Sequence, residues 1–416
     1  MTTFEETAGP ARRRAAFGFI FATALMNAVS FGIVLPVLPN LIKAFAGGDT
    51  AAATEWSTLI GVVWGVMQLI CGPALGALSD RIGRRPVLLI SLFGLAADFF
   101  IMALAPTMVW LIVGRVLNGM TAASFSTANA YVADVTPPEQ RARAFGWIGS
   151  ALSLGFLGGP VLGGLLAGID LRLPFYVAGG LTALNWIYGF TVLPESLAPA
   201  LRATHFDLRK ANPFGALLFL KERANLLALS LLSLTFSLAW MVGPAIFVLY
   251  SGYRYGWSPV TVGLVMMVSG GLSSAVQMVL VGPVVARVGE RGAILIGAAT
   301  GAIGYACFGL ATTGTGYLIA IPVYALMNLF MPALQGLATR RLSPAEQGQL
   351  QGAVQGMQGL ASIFGPLLFG LSFAWSIRPG AILPAPGLAF FIASVLMAVV
   401  LVCAWRITRS DAEVAA

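Results

Sequence analysis

The sequence predicts an all-α membrane protein, with 12 transmembrane helices in two pseudo-symmetric six-helix halves. Three observations carry this expectation. Only 10% of residues are charged and 58% are hydrophobic, with a mean hydropathy of +0.86. Twelve apolar stretches are long enough to cross a bilayer, and a set of motifs recurs at an offset of 206 residues. Soluble domains carry about 25% charged residues. A bilayer-crossing helix uses about 20 apolar residues, so twelve use about 240. That matches the hydrophobic content of a 416-residue chain. The composition excludes a soluble enzyme and a disordered chain. It also excludes an outer-membrane barrel, whose strands alternate apolar and polar residues.

The stretches fall at 16–38, 56–78, 87–105, 108–131, 144–168, 174–193, 224–250, 259–281, 292–312, 316–338, 349–373 and 387–407. The first follows Arg12, Arg13 and Arg14. It is too long for a signal-peptide core and no small-residue cleavage site follows it, so it reads as a retained span. Several spans contain Gly and Pro, which membrane helices tolerate where neighbours satisfy the freed backbone groups. The 49 glycines suit close helix packing. The long polar segment after the sixth span carries Pro194, Glu195, Arg202, His205, Asp207, Arg209, Lys210 and Lys221. The chain therefore divides into an N-terminal six-helix half at 1–193, a cytoplasmic linker at 194–223 and a C-terminal six-helix half at 224–416.

Orientation follows from the basic residues, because cytoplasmic loops carry the excess of Lys and Arg. Nineteen of the 24 lie at the termini, in the linker and in loops after even-numbered spans. The opposite side holds Lys43, Arg172, Arg254 and Arg378. Both termini are expected in the cytoplasm. The net charge of +8 is thus a topology signal, and no nucleic-acid partner is expected. The cysteines Cys71, Cys307 and Cys403 sit in apolar runs without disulfide or zinc spacing, and His205 is the single histidine. No nucleotide-binding Gly-x4-Gly-Lys-Ser/Thr occurs, so ATP is not the direct drive.

The repeat joins loops and spans. Gly76, Arg81, Gly83 and Arg85 return as Gly282, Arg287, Gly289 and Arg291. Pro138 returns as Pro344, Gly146 as Gly352, and Gly159, Pro160 and Gly164 as Gly365, Pro366 and Gly370. Parallel repeats of this kind place a substrate cavity between the halves, near the bilayer midplane.

Four groups of residues carry candidate chemistry. In the loop Gly76–Pro86, Ser79 or Asp80 is expected to end a helix, with the glycines making the turn. The loop reads either as a charged topogenic segment or as a gate. In the gate reading Asp80 faces a helix N-terminus, where the dipole favours an anion, and Arg84 pairs with Asp134. Its repeat has Ala286 in place of Asp80, which favours a specific role for the acid. Asp98 is the only acid well inside a span, and Arg115 lies at matching depth in the next, each about 10 Å in at 1.5 Å per residue. A mid-helix arginine costs about 2.5–3.5 kcal/mol on insertion scales and needs a partner, so an Asp98–Arg115 ion pair is expected. Gly155, Gly159, Pro160, Gly163 and Gly164 form a close-packing face with a proline bend. Asn27, Gln68, Asn118, Gln277, Asn328 and Gln335 are candidate substrate-binding amides, or interhelical hydrogen-bonding groups. Phe31, Trp64, Tyr305, Tyr324 and Trp240 are candidates for an apolar pocket that takes a flat ligand.

With these motifs in place, the sequence resembles the major facilitator superfamily. Within it, the chain is similar to the 12-span drug/proton antiporters, and among those to the tetracycline/proton antiporters. The resemblance rests on Gly76–Pro86, Gly114–Gly119, the antiporter-type motif at 155–164, Ala133–Arg143, Leu193–Ser196, Gly282–Arg291 and Met331–Gly336. It implies the major facilitator fold and export of small amphipathic or aromatic compounds, tetracycline-like drugs or similar, in exchange for protons by alternating access. The alternative on the same scaffold is a facilitator or proton-linked importer of a small metabolite. An enzyme is not expected. By position, Gly76, Asp80, Arg81, Gly83, Arg84, Arg85 and Asp134 would serve the gate, and Asp98 and Arg115 the proton coupling.

Two positions depart from the family. It commonly has an acid in the first span where this chain has Asn27, and another in the ninth where this chain has Gly301. Asparagine and glycine cannot titrate, so two carboxylates are missing from the metal–tetracycline chemistry that the resemblance implies. No resident cofactor or metal is expected; the proton is the coupling ion, and a divalent metal enters only with a chelated substrate. The expected setting is a bacterial inner membrane, with a small-molecule substrate, the lipid bilayer and a functional monomer.

Overall fold

A computed structural model describes residues 10–137, 140–203, 224–340, 344–382 and 384–414. Pro138, Glu139 and most of the linker, with His205, Asp207, Arg209, Lys210 and Lys221, lie outside the described residues. Among the described residues the regular elements are helices, with no strand.

Ten helical stretches are long and apolar enough to cross a membrane. One of them, Pro259–Leu310, has 52 residues. At 1.5 Å per residue it is about 78 Å long, more than twice the hydrocarbon thickness of about 30 Å. Gly289, at φ 71°, breaks it into spans eight and nine. A further 20-residue helix, Leu173–Val192, forms span six. Twelve spans result among the described residues.

The other spans are Pro10–Val34 (one), Thr50–Ile82 (two), Arg84–Leu104 (three), Met108–Thr121 with Ser124–Val135 (four) and Arg141–Ala167 (five). Then follow Ala224–Trp240 with Val242–Tyr255 (seven), Gly314–Ala325 with Phe330–Arg340 (ten), Pro344–Ile377 (eleven) and Leu388–Val414 (twelve). Several differ from the expected stretches. Span one stops at Val34 and a separate helix, Leu38–Phe45, follows a turn, because Pro36 and Pro39 have no N–H to donate. Span two continues through Ser79 and Asp80 to Ile82, so neither of those residues ends it. The turn comes at Gly83, whose φ of 109° suits glycine alone.

Spans four, seven, eight and ten are not continuous α-helices. Span eight contains a π-helical segment, Val276–Leu280. Span ten carries Pro322 and then a 3-10 segment, Leu326–Leu329. Irregular backbone at membrane depth survives only where protein or a water-filled cavity satisfies it.

The repeat reappears in the element boundaries. Span three ends at Leu104 and span four starts at Met108. At 206 residues further on, span nine ends at Leu310 and span ten starts at Gly314. Gly83 and Gly289 both take positive φ.

Two compact units result from the packing. The first holds Met1–Leu41, Val63–Pro213 and Ser258–Met267; the second holds Ile42–Val62, Phe214–Trp257 and Val268–Ala416. The first unit is built on Ile20, Leu88, Leu92, Tyr131, Val132 and Ile148, all buried. The second is rich in aromatic contacts, with Phe308 stacked on Tyr317 at 4.1 Å and Phe236 on Phe330 at 4.6 Å. Burial of such rings, at about 25 cal/mol per Å² of apolar surface, dominates local stability where water is the reference. In lipid the same rings contribute through packing.

Candidate functional site

In the first unit, the loop after span two meets the ends of spans four and six. Gly83 precedes span three and has no side chain to cap it. A helix start leaves backbone N–H groups unsatisfied and favours an anion. Glu195, 111 residues later in sequence, supplies that anion: Oε1 accepts from the Arg84 N–H at 2.8 Å and Oε2 from the Arg85 N–H at 3.2 Å. Oε1 also accepts from the backbone N–H of Ser196 at 3.0 Å and of Leu197 at 3.1 Å. A Cβ on Gly83 would stand 2.6 Å from the Glu195 carboxyl carbon, so the glycine makes room for the cap as well as the turn.

Arg84 is the hub of this cluster. Its guanidinium pairs with Asp80, donates from Nε to Asp134 Oδ2 at 3.2 Å, and donates to Ser79 Oγ at 3.2 Å. The Ser196 hydroxyl donates to the same Asp134 oxygen at 3.0 Å. Arg85 donates to the Phe190 carbonyl at 2.7 Å and lies 5.9 Å from the Phe190 ring centroid. Tyr131 donates to the Pro194 carbonyl at 2.9 Å. Of the expected gate residues, the structure thus gathers Asp80, Gly83, Arg84, Arg85 and Asp134. Arg81 is exposed, and Gly76 has open space around its Cα.

Deeper in the same unit, Asp98 and Arg115 form an ion pair between spans three and four. Asp98 is fully buried and Arg115 is 7% exposed. The arginine also approaches Met102 Sδ at 3.6 Å. The contact uses one oxygen of the carboxylate: Asp98 Oδ1 and Arg115 Nε have no hydrogen-bond partner among the described residues. Gly114 leaves space for the carboxylate, since a Cβ there would stand 2.6 Å from Asp98 Oδ1.

The glycines of span five work as a seam. Gly155, Gly159 and Gly163 lie against Ala28, Gly32 and Ile33 of span one, and a Cβ on Gly32 would be 3.0 Å from Gly159 Cα. The other side of the same helix receives the start of span eight: Gly164 lies against Pro259, and Gly263 against Pro160.

The candidate amides divide. Asn118 Oδ1 accepts from Trp64 Nε1 at 2.6 Å, linking spans four and two. Gln277, on the π-helical segment of span eight, donates at 3.1 Å to Asn328 Oδ1, within the 3-10 segment of span ten. Asn27 is 3% exposed, and its Oδ1 has no hydrogen-bond partner among the described residues. Gln68 is half-buried, and Gln335 lines a small cavity with Ser230, Ser233 and Met331. Gly301, where the family has an acid, is packed tight: a Cβ would meet Met397 Cε at 2.6 Å and Met327 Cγ at 2.9 Å. Among the aromatic candidates, Phe31 lies 6.4 Å from Trp64 and Tyr305 lies 5.4 Å from Tyr324, while Trp240 is exposed. Among the described residues, no group of three His, Cys, Asp or Glu side chains is placed to hold a metal.

Three features escaped sequence reasoning. Glu195 reads from the sequence as part of the polar linker and of the Leu193–Ser196 motif, with no cap role; the uncapped Gly83 turn is the signal that an acid has to come from elsewhere. Phe156, from the glycine seam, lies 6.0 Å from Phe31. In the second unit, Glu55 at the start of span two pairs with Arg378 just after span eleven, and no local pattern links residues that far apart in sequence.

Comparison with known proteins agrees with this layout. The sequence profile of the Major Facilitator Superfamily matches residues 20–366. The chain is 38% identical to the class C tetracycline resistance protein of Escherichia coli over 86% of this chain and 89% of that protein. It is 33% identical to the class G protein of Vibrio anguillarum, with the same shares covered. Among solved structures, the human organic anion transporter MFSD10 (TETRAN) superposes with a TM-score of 0.69 at 22% identity, covering 95% of this chain and all of that one. The nucleoside transporter NupG superposes at 0.76 with 15% identity, covering 94% and 98%.

Proposed function

This chain belongs to the major facilitator superfamily, and from that premise we propose that it exports small amphipathic or aromatic compounds, tetracycline-like drugs among them, in exchange for protons by alternating access. The observation that carries the proton coupling is the buried Asp98–Arg115 pair. Ionisable groups inside a membrane are costly and function is the default reading for them. Among the described residues Asp98 is the one acid well inside a span. Neither Asn27 nor Gly301 can titrate.

The chemistry follows from charge balance. With Asp98 ionised, its charge and that of Arg115 cancel in a buried setting. A proton on Asp98 removes the partner and leaves the guanidinium charge uncompensated, which costs several kcal/mol unless the surroundings change. Protonation therefore favours a conformation in which Arg115 meets water or another acceptor. Substrate binding favours the other conformation, and the two loads alternate because each has a different affinity for the two states. One proton moving through 100 mV supplies about 2.3 kcal/mol. The Asp80–Arg84–Asp134 cluster, with Arg81, Arg85, Gly76 and Gly83 in the same loop and its neighbours, serves as the cytoplasmic gate.

The lysine and arginine distribution supports cytoplasmic termini, and the relatives' bacterial sources support an inner-membrane location. The protein acts as a monomer. The test is a susceptibility panel in an efflux-deficient host, tetracycline first. The wild type should protect and Asp98→Asn should not; equal protection by both would refute the coupling role. Asn27 and Gly301 favour a second reading, a facilitator or importer of a small metabolite. Counterflow without a pH gradient and without proton movement would select it.

A further inference from the structure

We infer that Phe31, Trp64 and Phe156 form a stacking subsite for the planar fused-ring part of the substrate, joined through the Trp64–Asn118 hydrogen bond to the span that carries Arg115. This rests on the export reading and names what that site recognises.

The three rings come from spans one, two and five of the first unit. Phe31 is 6.4 Å from Trp64, tilted by 41°, and 6.0 Å from Phe156, edge to face at 76°. The glycine seam fixes two of them. Gly32 follows Phe31 and Gly155 precedes Phe156, and a Cβ on Gly32 would stand 3.0 Å from the Gly155 carbonyl oxygen. Trp64 is fixed by its hydrogen bond to Asn118, and Gly119 permits that approach: a Cβ there would be 2.9 Å from the Trp64 carbonyl oxygen.

The rings are held but not packed away. Phe99 and Phe175 of the same unit are fully buried, whereas Phe156 is 40% exposed and Phe31 and Trp64 are half-buried. Their depth argues against a lipid-interface belt, where membrane tryptophans concentrate. Trp64 lies 14 residues into Thr50–Ile82, about 21 Å at 1.5 Å per residue, and Phe156 lies 11 residues from the end of its helix, about 17 Å. An indole at that depth needs a partner for its N–H, and Asn118 is that partner.

The chemistry selects a flat ligand. Aromatic faces and edges prefer offset or edge-to-face contact with another ring, worth about tenfold in affinity beyond the area covered. Asn118 is three residues beyond Arg115, on the same face of span four. A ring stacked on Trp64 therefore restrains the indole, its amide partner and the helical turn that carries the arginine.

The experiment uses the full chain in lipid nanodiscs, with ethidium and tetracycline as planar probes and dodecyltrimethylammonium as a non-aromatic amphiphile. Phe31→Leu and Phe156→Leu should each raise Kd for the planar probes about tenfold and leave dodecyltrimethylammonium unchanged. The ring-keeping Phe31→Tyr and Phe156→Tyr should recover the affinity lost in the Leu variants, which separates ring recognition from misfolding. Equal weakening for all three probes, or no change for the planar ones, would overturn the subsite. A wild type that exports dodecyltrimethylammonium but binds neither planar probe would also overturn it and leave the export reading standing. A wild type that transports none of the three would remove both.

Discussion

Spans three and four of the first half and spans nine and ten of the second are built on the same plan with opposite interiors. At the repeat offset, Asp98 corresponds to Gly304 and Arg115 to Ile321. The first pair is a buried ion pair. In the second, Gly304 lies against Tyr324, where a Cβ would be 2.8 Å from the Tyr324 Cα, and Ile321 is 1% exposed. The scaffold therefore folds at this position without charge. An apolar solution exists, and the charged one is costly in a membrane; its presence in one half alone points to work that the other half does not share. The loops teach the same lesson. Gly83 and Gly289 both take positive φ. Around Gly83, however, stand Asp80, Asp134 and Glu195, whose counterparts are Ala286, Arg340 and Leu401. The backbone device is duplicated and the carboxylate cluster is not.

The comparison can be broken by removing charge from the first half. Asp98→Asn or Arg115→Ala leaves one buried charge without its partner and should cost about 3–5 kcal/mol. Thermal unfolding of the purified protein measures this. Replacing both, Asp98→Leu with Arg115→Met, should return stability to within about 1–2 kcal/mol of the wild type, as apolar replacements of buried pairs do. A double variant as unstable as the singles would show that the pair is structural.

The two glycine turns sharpen the comparison. Gly83→Ala should cost about 2–4 kcal/mol, combining backbone strain with displacement of the Glu195 cap. Gly289→Ala should cost about 1–3 kcal/mol from strain alone, since nothing lies within 4 Å of its virtual Cβ. Equal effects in thermal unfolding would mean that the cap contributes nothing. Of the same size as the Gly289 effect, Glu195→Ala should cost about 1–3 kcal/mol by leaving the N–H groups of Arg84 and Arg85 without their acceptor. Faster hydrogen exchange at the Arg84 and Arg85 amides is the local signature; unchanged exchange there would exclude the capping role.

Much of this was legible in the sequence because it is periodic or compositional. Span number, repeat offset and the Asp98–Arg115 depth match all follow from counting residues along helices. The helix interruptions did not, because π and 3-10 segments such as Val276–Leu280 and Leu326–Leu329 depend on how neighbours satisfy the backbone. The sequence suggests Ser79 or Asp80 as the end of span two, but without a proline or positive φ there the helix runs on to Ile82, just before Gly83. Contacts that join distant residues, Glu195 with Arg84 or Phe31 with Phe156, leave no local trace beyond the glycines that permit them.

The measurement that bears most directly on the role of Asp98 is substrate-induced proton movement in proteoliposomes containing the full chain. Adding tetracycline to wild-type vesicles should drive proton flux opposite to the drug. In Asp98→Asn vesicles that flux should vanish while downhill counterflow of the drug persists. Proton flux of wild-type size in the Asp98→Asn protein would contradict the assignment of coupling to the buried pair.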